Sequence, residues 1–156
     1  MSSGKHCFVE HWTSEKTAPH SKHGVVAAQD VRAAEVGVSL LKAGGNAVDA
    51  AVATAFALGV VEPWMCGPGG SGYLVVWHAD TQRAEVFDFQ GVLPQNINAD
   101  EYPLDPDVPV STMGFPGVRN NLNTVGYQSI SVPGAVKGLS DALHCLLYTS
   151  PSPRDS

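Results

Sequence analysis

The chain has 156 residues, enough for one domain with a core of its own. It is 44% hydrophobic and 15% charged, with a formal net charge of -6. Its nine Lys and Arg residues are scattered, which argues against nucleic acid or an anionic membrane surface as partner, because both are bound by clustered cations.

Residues 1–23 are polar and lack a hydrophobic period, which predicts a flexible arm. They contain no basic flank followed by an apolar run, and the three cysteines lie far apart, so we expect a cytoplasmic protein in a reducing compartment. Four histidines here could be proposed as metal ligands, but no Cys or carboxylate pair completes a site, which favours a solvated arm: His6, His11, His20 and His23.

The first ordered elements are predicted from residue 24 onward. The apolar run at residues 24–28 has the length of a strand, and residues 33–43 repeat apolar side chains at helical spacing. Gly44 and Gly45 end that helix, because glycine adopts the left-handed conformation without a steric penalty.

A second helix is predicted over residues 47–58. Asn46 is a favourable N-cap, and the Asp49 carboxylate can accept a free amide of the first turn. A catalytic role for Asp49 is the alternative, but capping explains it without a further assumption. The run is apolar on every side, which predicts a buried helix, and it ends at Glu62 before Pro63.

A glycine cluster and a hairpin follow. Gly67, Gly69 and Gly72 match G-x-G-x-x-G, but they follow a helix and open a strand, whereas a dinucleotide site requires the reverse order, so a tight turn is favoured. Cys66 beside them is interpreted as a packing residue rather than a reactive thiol. Strands at residues 73–77 and 83–89, joined by a short polar turn, predict a β-hairpin.

The last part of the chain combines a long loop with two elements. Residues 91–126 show no period and are rich in Pro, Asn and Asp. We expect a strand at residues 127–132 and a helix from Ala135. Residues 145–156 resemble the translation of a sequencing adapter and are predicted to be an artefactual tail; a helix that ends in a Ser/Pro tail is the alternative.

Three segments of this sequence resemble the gamma-glutamyltransferase family. They are Ala43–Ala53 with Leu58–Pro63 and the glycine cluster, then Val86–Phe89, and then Ser131–Leu139. The resemblance covers residues 24–144, and residues 1–23 and 145–156 lie outside it. It implies an α+β fold, part of the four-layer αββα sandwich of N-terminal-nucleophile hydrolases.

The resemblance also implies a function. A precursor would cleave itself and expose a threonine that hydrolyses or transfers gamma-glutamyl or related amides, such as glutathione, through an acyl-enzyme. The substrate is a small-molecule amide, and no metal or organic cofactor is implied. No Thr-Thr junction occurs here, so we expect an N-terminal fragment of the large subunit that is inactive alone and needs the C-terminal portion of the same precursor as partner.

Gln90 is the one predicted substrate-binding residue. The gamma-glutamyl transferases of the family carry an arginine at this point, where it can hold a carboxylate with two charge-assisted bonds, whereas glutamine offers only neutral donors. This departure favours family members that act on other amides. A glutamine that only bonds the long loop is the alternative for the residue. For the whole chain, the alternative is a small non-catalytic α/β binding module built on the glycine turn.

Overall fold

The computed structural model describes residues 18–147, and it describes side chains as far as Cys145. Within this range the fold is α+β, with three α-helices and one two-stranded sheet. The helices are α1 (Val31–Lys42), α2 (Ala47–Val61) and α3 (Ala135–Leu147). The strands are β1 (Gly72–His78) and β2 (Arg83–Phe89). The predicted helices and hairpin are therefore confirmed, with small shifts of their ends.

The connection between α1 and α2 follows the sequence signals closely. Gly44 has φ 93°, and the Gly45 N–H donates to the Leu40 carbonyl at 2.9 Å. Asn46 Oδ1 then accepts from the amides of Val48 and Asp49, while Asp49 Oδ2 accepts from the Asn46 N–H at 2.8 Å. These reciprocal bonds form a capping box, which confirms the predicted caps.

The hairpin pairs β1 with β2 in antiparallel register, from Gly72 opposite Phe89 to His78 opposite Arg83. Alternate residues therefore share a face. The inner face packs on the helices, and the core joins Val48 and Val52 of α2 to Leu139 and Ala142 of α3, with half-buried side chains around them: Ala55, Leu74, Val76, Phe87, Phe89 and Leu143. The outer face exposes large apolar side chains, each by 59% or more: Tyr73, Val75, Trp77 and Val86.

Two predicted strands do not form. Residues 24–28 have no strand conformation, and residues 127–132 hold a 3-10 turn at Tyr127–Ser129 followed by a single bridge from Val132 to Val92. A strand depends on a hydrogen-bonded neighbour, and in the described part of the chain the pairing of these two runs is limited to that one bridge. The loop between the hairpin and α3 contains two further 3-10 turns, at Ala99–Glu101 and Arg119–Asn121.

The second helix is less buried than its sequence predicts. Val48, Ala50, Val52 and Thr54 are buried, whereas Ala51, Phe56 and Val60 are exposed. The prediction of burial on every side was wrong for the described chain, because α1 and α3 contact only part of the helix surface. None of the helices between residues 18 and 147 is long and apolar enough to cross a bilayer.

Candidate functional site

The glycine turn between α2 and β1 is the first part of the candidate site. The Gly70 N–H donates to the Gly67 carbonyl at 3.0 Å, which closes the turn. The Gly70 carbonyl in turn accepts from the N–H groups of Gly134 and Ala135, both at 3.1 Å, at the N-terminus of α3. Two of the amides at this helix terminus are therefore satisfied by protein.

The beginning of α3 also lies directly on the end of β2. A β-carbon added at Gly134 would collide with the Phe89 carbonyl, and one added at Gly138 would collide with the Phe89 ring. Only glycine at these two positions allows so close an approach of helix and strand. The glycine turn, the end of β2 and the start of α3 are thus packed into one unit.

Gln90 follows β2 at the edge of this unit and is exposed. Its backbone N–H donates to Asp88 Oδ1 at 3.0 Å, and its side-chain Oε1 accepts from the Ser71 hydroxyl at 3.4 Å. The β1 and β2 register, continued by one step beyond Gly72 and Phe89, places Ser71 opposite Gln90. The structure therefore brings the predicted substrate-binding residue to the glycine turn and away from the middle of the long loop.

The sequence analysis did not identify Ser71, Asp88, Gly134 or Gly138 as residues of the site. Ser71 and Gln90 are 19 residues apart, and their approach follows from the hairpin register. The short turn at residues 78–82, between the two predicted strands, is the sequence signal from which the proximity of Ser71 and Gln90 could have been predicted. Asp88 occupies an exposed position on the outer face, opposite Tyr73.

Asp88 is the charged residue that contacts Gln90 directly. The ion pairs within residues 18–147 join Arg32 to Asp30, His78 to Glu85, Arg119 to Asp105 and Lys137 to Asp141. Asp88 belongs to none of them. Arg83 stands at the far end of β2, six residues along the strand from Phe89, which is roughly 20 Å at the usual rise per residue.

The other residues weighed from the sequence lie apart from Gln90 or outside the described range. Asp49 caps α2, which confirms the capping interpretation. Cys66 is half-buried, with its thiol 3.7 Å from the Glu62 carbonyl. His20 and His23 are exposed, and residues 18–147 contain no group of three or more metal-ligating side chains placed to hold an ion. His6, His11 and residues 148–156 lie outside the described residues.

Known proteins similar to this chain share one family. A family profile described as gamma-glutamyltranspeptidase matches residues 33–145. Glutathione hydrolase 3 of Arabidopsis thaliana is 38% identical over 122 residues, which cover 78% of this chain and 17% of that protein. An acylase ACY 1 proenzyme of Pseudomonas sp. strain V22 is 37% identical over 135 residues, which cover 86% of this chain and 24% of the acylase.

The fold is also found in solved structures. The gamma-glutamyltranspeptidase from Pseudomonas nitroreducens, complexed with L-DON, matches with a TM-score of 0.66 and 35% identity, covering 81% of this chain and 34% of that one. The chain spans about a fifth of the length of the curated relatives it matches.

Proposed function

This chain belongs to the gamma-glutamyltranspeptidase family, and we propose from that premise that it forms the scaffold and one substrate-binding wall of an amide hydrolase or acyltransferase. The reaction would pass the acyl group of a small amide, gamma-glutamyl or related, through a threonine acyl-enzyme to water or an amine. The observation that carries the proposal is the position of Gln90, exposed beside Ser71 where β2, the glycine turn and α3 meet.

The nucleophile of this reaction would come from another part of the same precursor. The 156 residues contain no Thr-Thr pair at which such a precursor could divide. We propose that the complementary portion packs on the outer face of the hairpin, completing the four-layer αββα arrangement. The exposed Tyr73, Val75 and Trp77 support this, because apolar patches of this kind are normally covered by protein.

Gln90 is proposed to bind the acyl portion of the substrate. Its amide and the Ser71 hydroxyl are neutral hydrogen-bonding groups, able to hold a carbonyl or another uncharged polar atom. They cannot form the bidentate, charge-assisted pair that an arginine makes with a carboxylate. The presence of both glutathione hydrolases and an acylase among the relatives is consistent with a substrate range wider than gamma-glutamyl amides. We also propose a cytoplasmic location for the protein.

A phosphate-binding module built on the glycine turn receives no support from the geometry. The turn opens a strand, and the helix N-terminus beside it is occupied by the Gly70 carbonyl. An anion would have to displace that carbonyl before it could bind the amides of Gly134 and Ala135.

A chimera tests the proposal. Residues 33–145 would replace the matched segment of the Pseudomonas nitroreducens enzyme, with the unmodified enzyme as control. We expect the chimera to mature by self-cleavage and to hydrolyse acyl anilides, and Gln90→Arg in the chimera to raise the use of gamma-glutamyl anilide. A chimera that folds but neither matures nor hydrolyses any anilide would show that this segment is not an equivalent scaffold. Unchanged donor preference on Gln90→Arg would remove Gln90 from the substrate wall.

A further inference from the structure

The outer face of the hairpin ends in a pair of polar side chains at the glycine turn. Exposed and half-buried residues alternate along β1, and the alternation continues one step back to Ser71, which shares the exposed side with Tyr73. In the same way, the exposed side at the end of β2 continues from Asp88 to Gln90. Ser71 and Gln90 therefore meet on the outer face, where the complementary portion of the precursor is proposed to pack.

The backbone on both sides of this pair is held by the rest of the fold. Before Ser71, the Gly70 carbonyl accepts two amides from the start of α3. After it, Gly72 lies so close to Phe89 that a β-carbon there would be 3.0 Å from the ring. Gln90 follows Phe89 directly, and its own N–H donates to a carboxylate of β2. The two backbones are therefore fixed relative to each other, and the side-chain torsions decide what the pair presents to a ligand.

The Ser71 hydroxyl sets the orientation of the Gln90 amide. It donates to Gln90 Oε1 at 3.4 Å, which is the hydrogen bond that the Gln90 side chain forms within the described residues. A glutamine amide has a carbonyl acceptor and an NH2 group with two donors, and its terminal torsion lets the two ends exchange. Because Ser71 binds the carbonyl end, the NH2 end is left to face a ligand.

We infer that Ser71 is a positioning residue for Gln90, and that the substrate presents a hydrogen-bond acceptor to the Gln90 NH2 group. The inference rests on the proposed function, since it takes Gln90 as part of the substrate wall. Without the Ser71 hydroxyl the amide can turn and offer either end, so its selectivity for an acceptor is lost. Ser71 therefore influences the choice of substrate through Gln90 and not through a contact of its own.

Two 4-nitroanilides that differ in one group test this inference in the chimera that carries residues 33–145. The 5-oxohexanoyl compound has a ketone oxygen where the 5-methylhexanoyl compound has a methyl group. The ratio of their kcat/KM values on one preparation does not depend on the amount of active protein, so partial misfolding cannot imitate the effect. We expect the chimera to prefer the ketone by about three- to tenfold, the size of one neutral hydrogen bond.

Variants separate a positioning role from a direct contact. Ser71→Ala should lower the preference to that of Gln90→Ala, whereas Ser71→Thr keeps a hydroxyl and should retain it. Adding Ser71→Ala to Gln90→Ala should change nothing further, because Ser71 acts through Gln90. Gln90→Glu offers only acceptors when ionised and should also remove the preference. Ser39→Ala, which removes an exposed hydroxyl bonded within α1, is the matched control and should leave the ratio unchanged.

NMR of the 156-residue chain measures the contact itself. The heteronuclear 15N NOE of the Gln90 side-chain amide reports its fast motion. It should exceed that of Gln95, an exposed glutamine whose side chain forms no hydrogen bond within the described residues. We expect the Gln90 value to fall to that of Gln95 in Ser71→Ala and to be retained in Ser71→Thr.

The outcomes distinguish this inference from the proposed function. If Gln90→Ala lowers the ketone preference and Ser71→Ala does not, the inference fails and the proposed function stands. If Ser71→Ala lowers the preference equally in the Gln90→Ala background, Ser71 contacts the substrate itself and the positioning role is overturned. If Gln90→Ala leaves the preference unchanged, the proposed role of Gln90 fails as well. A chimera that does not mature counts against the proposed function, and the NMR comparison then decides whether Ser71 holds the Gln90 amide.

Discussion

The aromatic ring of Phe89 lies against the α-carbon of Gly138, with no space between them for a β-carbon. Phe89 is the last residue of β2, and Gly138 is buried near the start of α3. Gly134, just before the same helix, lies equally close to the Phe89 carbonyl. The end of β2, and with it the position of Gln90, is therefore fixed by Gly138 of α3 and by Gly134, which precedes the helix.

Gly138→Ala should destabilise the protein. Overpacking costs about 1–3 kcal/mol, whereas the gain in helix propensity from glycine to alanine is about 1 kcal/mol, so the steric term wins. Because three ring atoms of Phe89 conflict with a β-carbon at Gly138, we expect the net fall in the free energy of unfolding, measured by urea denaturation, to lie in the upper part of the resulting range, at about 1–2 kcal/mol. Val136→Ala, an exposed substitution on the same helix, is the control and should change it by less than about 0.5 kcal/mol. A Gly138→Ala variant as stable as the parent would contradict this packing.

The contact between α1 and α2 gives a second prediction. A β-carbon at Gly37 would collide with the Thr54 hydroxyl, which is buried and donates to the Ala50 carbonyl at 2.7 Å. Gly37→Ala should therefore lower the free energy of unfolding by about 1–3 kcal/mol. Adding Thr54→Ala removes the colliding oxygen and should recover part of that loss, so the two substitutions should not be additive in thermal or urea unfolding. Strict additivity would show that the two residues do not meet.

The helices and the hairpin were predictable because their signals are local. Asn46 and Asp49, which lie three positions apart, predict the start of α2. Gly44 adopts the left-handed conformation that ends α1. In β2, Phe87 and Phe89 alternate with other side chains and so share one face, and those two side chains are the half-buried ones of that strand.

The remaining features depend on residues distant in sequence. Residues 24–28 and 127–132 have strand-like composition, but composition cannot supply a partner strand, and within the described residues the two runs form only the single bridge from Val132 to Val92. The site shows the same limit. Gln90 could be predicted from its own place in the sequence. Its contact with Ser71 depends on the hairpin register, and its support by Gly134 depends on helix packing. Such contacts follow from the tertiary fold.

Asp30 provides a prediction about pH. The Arg32 side chain donates to both carboxylate oxygens of Asp30 and the Arg32 backbone N–H donates to one, which lowers the pKa of Asp30 from 3.8 to about 2. A lowered pKa in the folded state means that the ionised carboxylate stabilises it, so this contribution is present above about pH 4 and is lost as the pH falls through about 2. The stability difference between the parent and Asp30→Asn should therefore shrink as the pH is lowered across that window.

Urea unfolding at several pH values measures this difference. Asp80→Asn, which removes an exposed carboxylate from the hairpin turn, is the matched control, since Asp80 belongs to no ion pair in the described residues. If the parent and Asp30→Asn lost stability in parallel from neutral pH to about pH 2, the Arg32 interaction would not be the cause of the shift.

The outer face of the hairpin leads to the last prediction. Val75 and Trp77 expose 66% and 59% of their surface on the same face, and β2 continues the patch with Val86, exposed by 59%. Apolar surface of this kind is buried when proteins associate, so the isolated chain should self-associate as its concentration rises. Val75→Thr with Trp77→Thr places β-branched side chains, which suit a strand, at both positions and removes most of the apolar area. We expect sedimentation velocity to show a shift toward monomer for this double variant, while Val136→Thr on the exposed surface of α3 leaves the distribution unchanged. A parent chain that stays monomeric at high concentration would contradict the predicted association. A double variant that associates as strongly as the parent would show that the association surface is not the outer face of the hairpin.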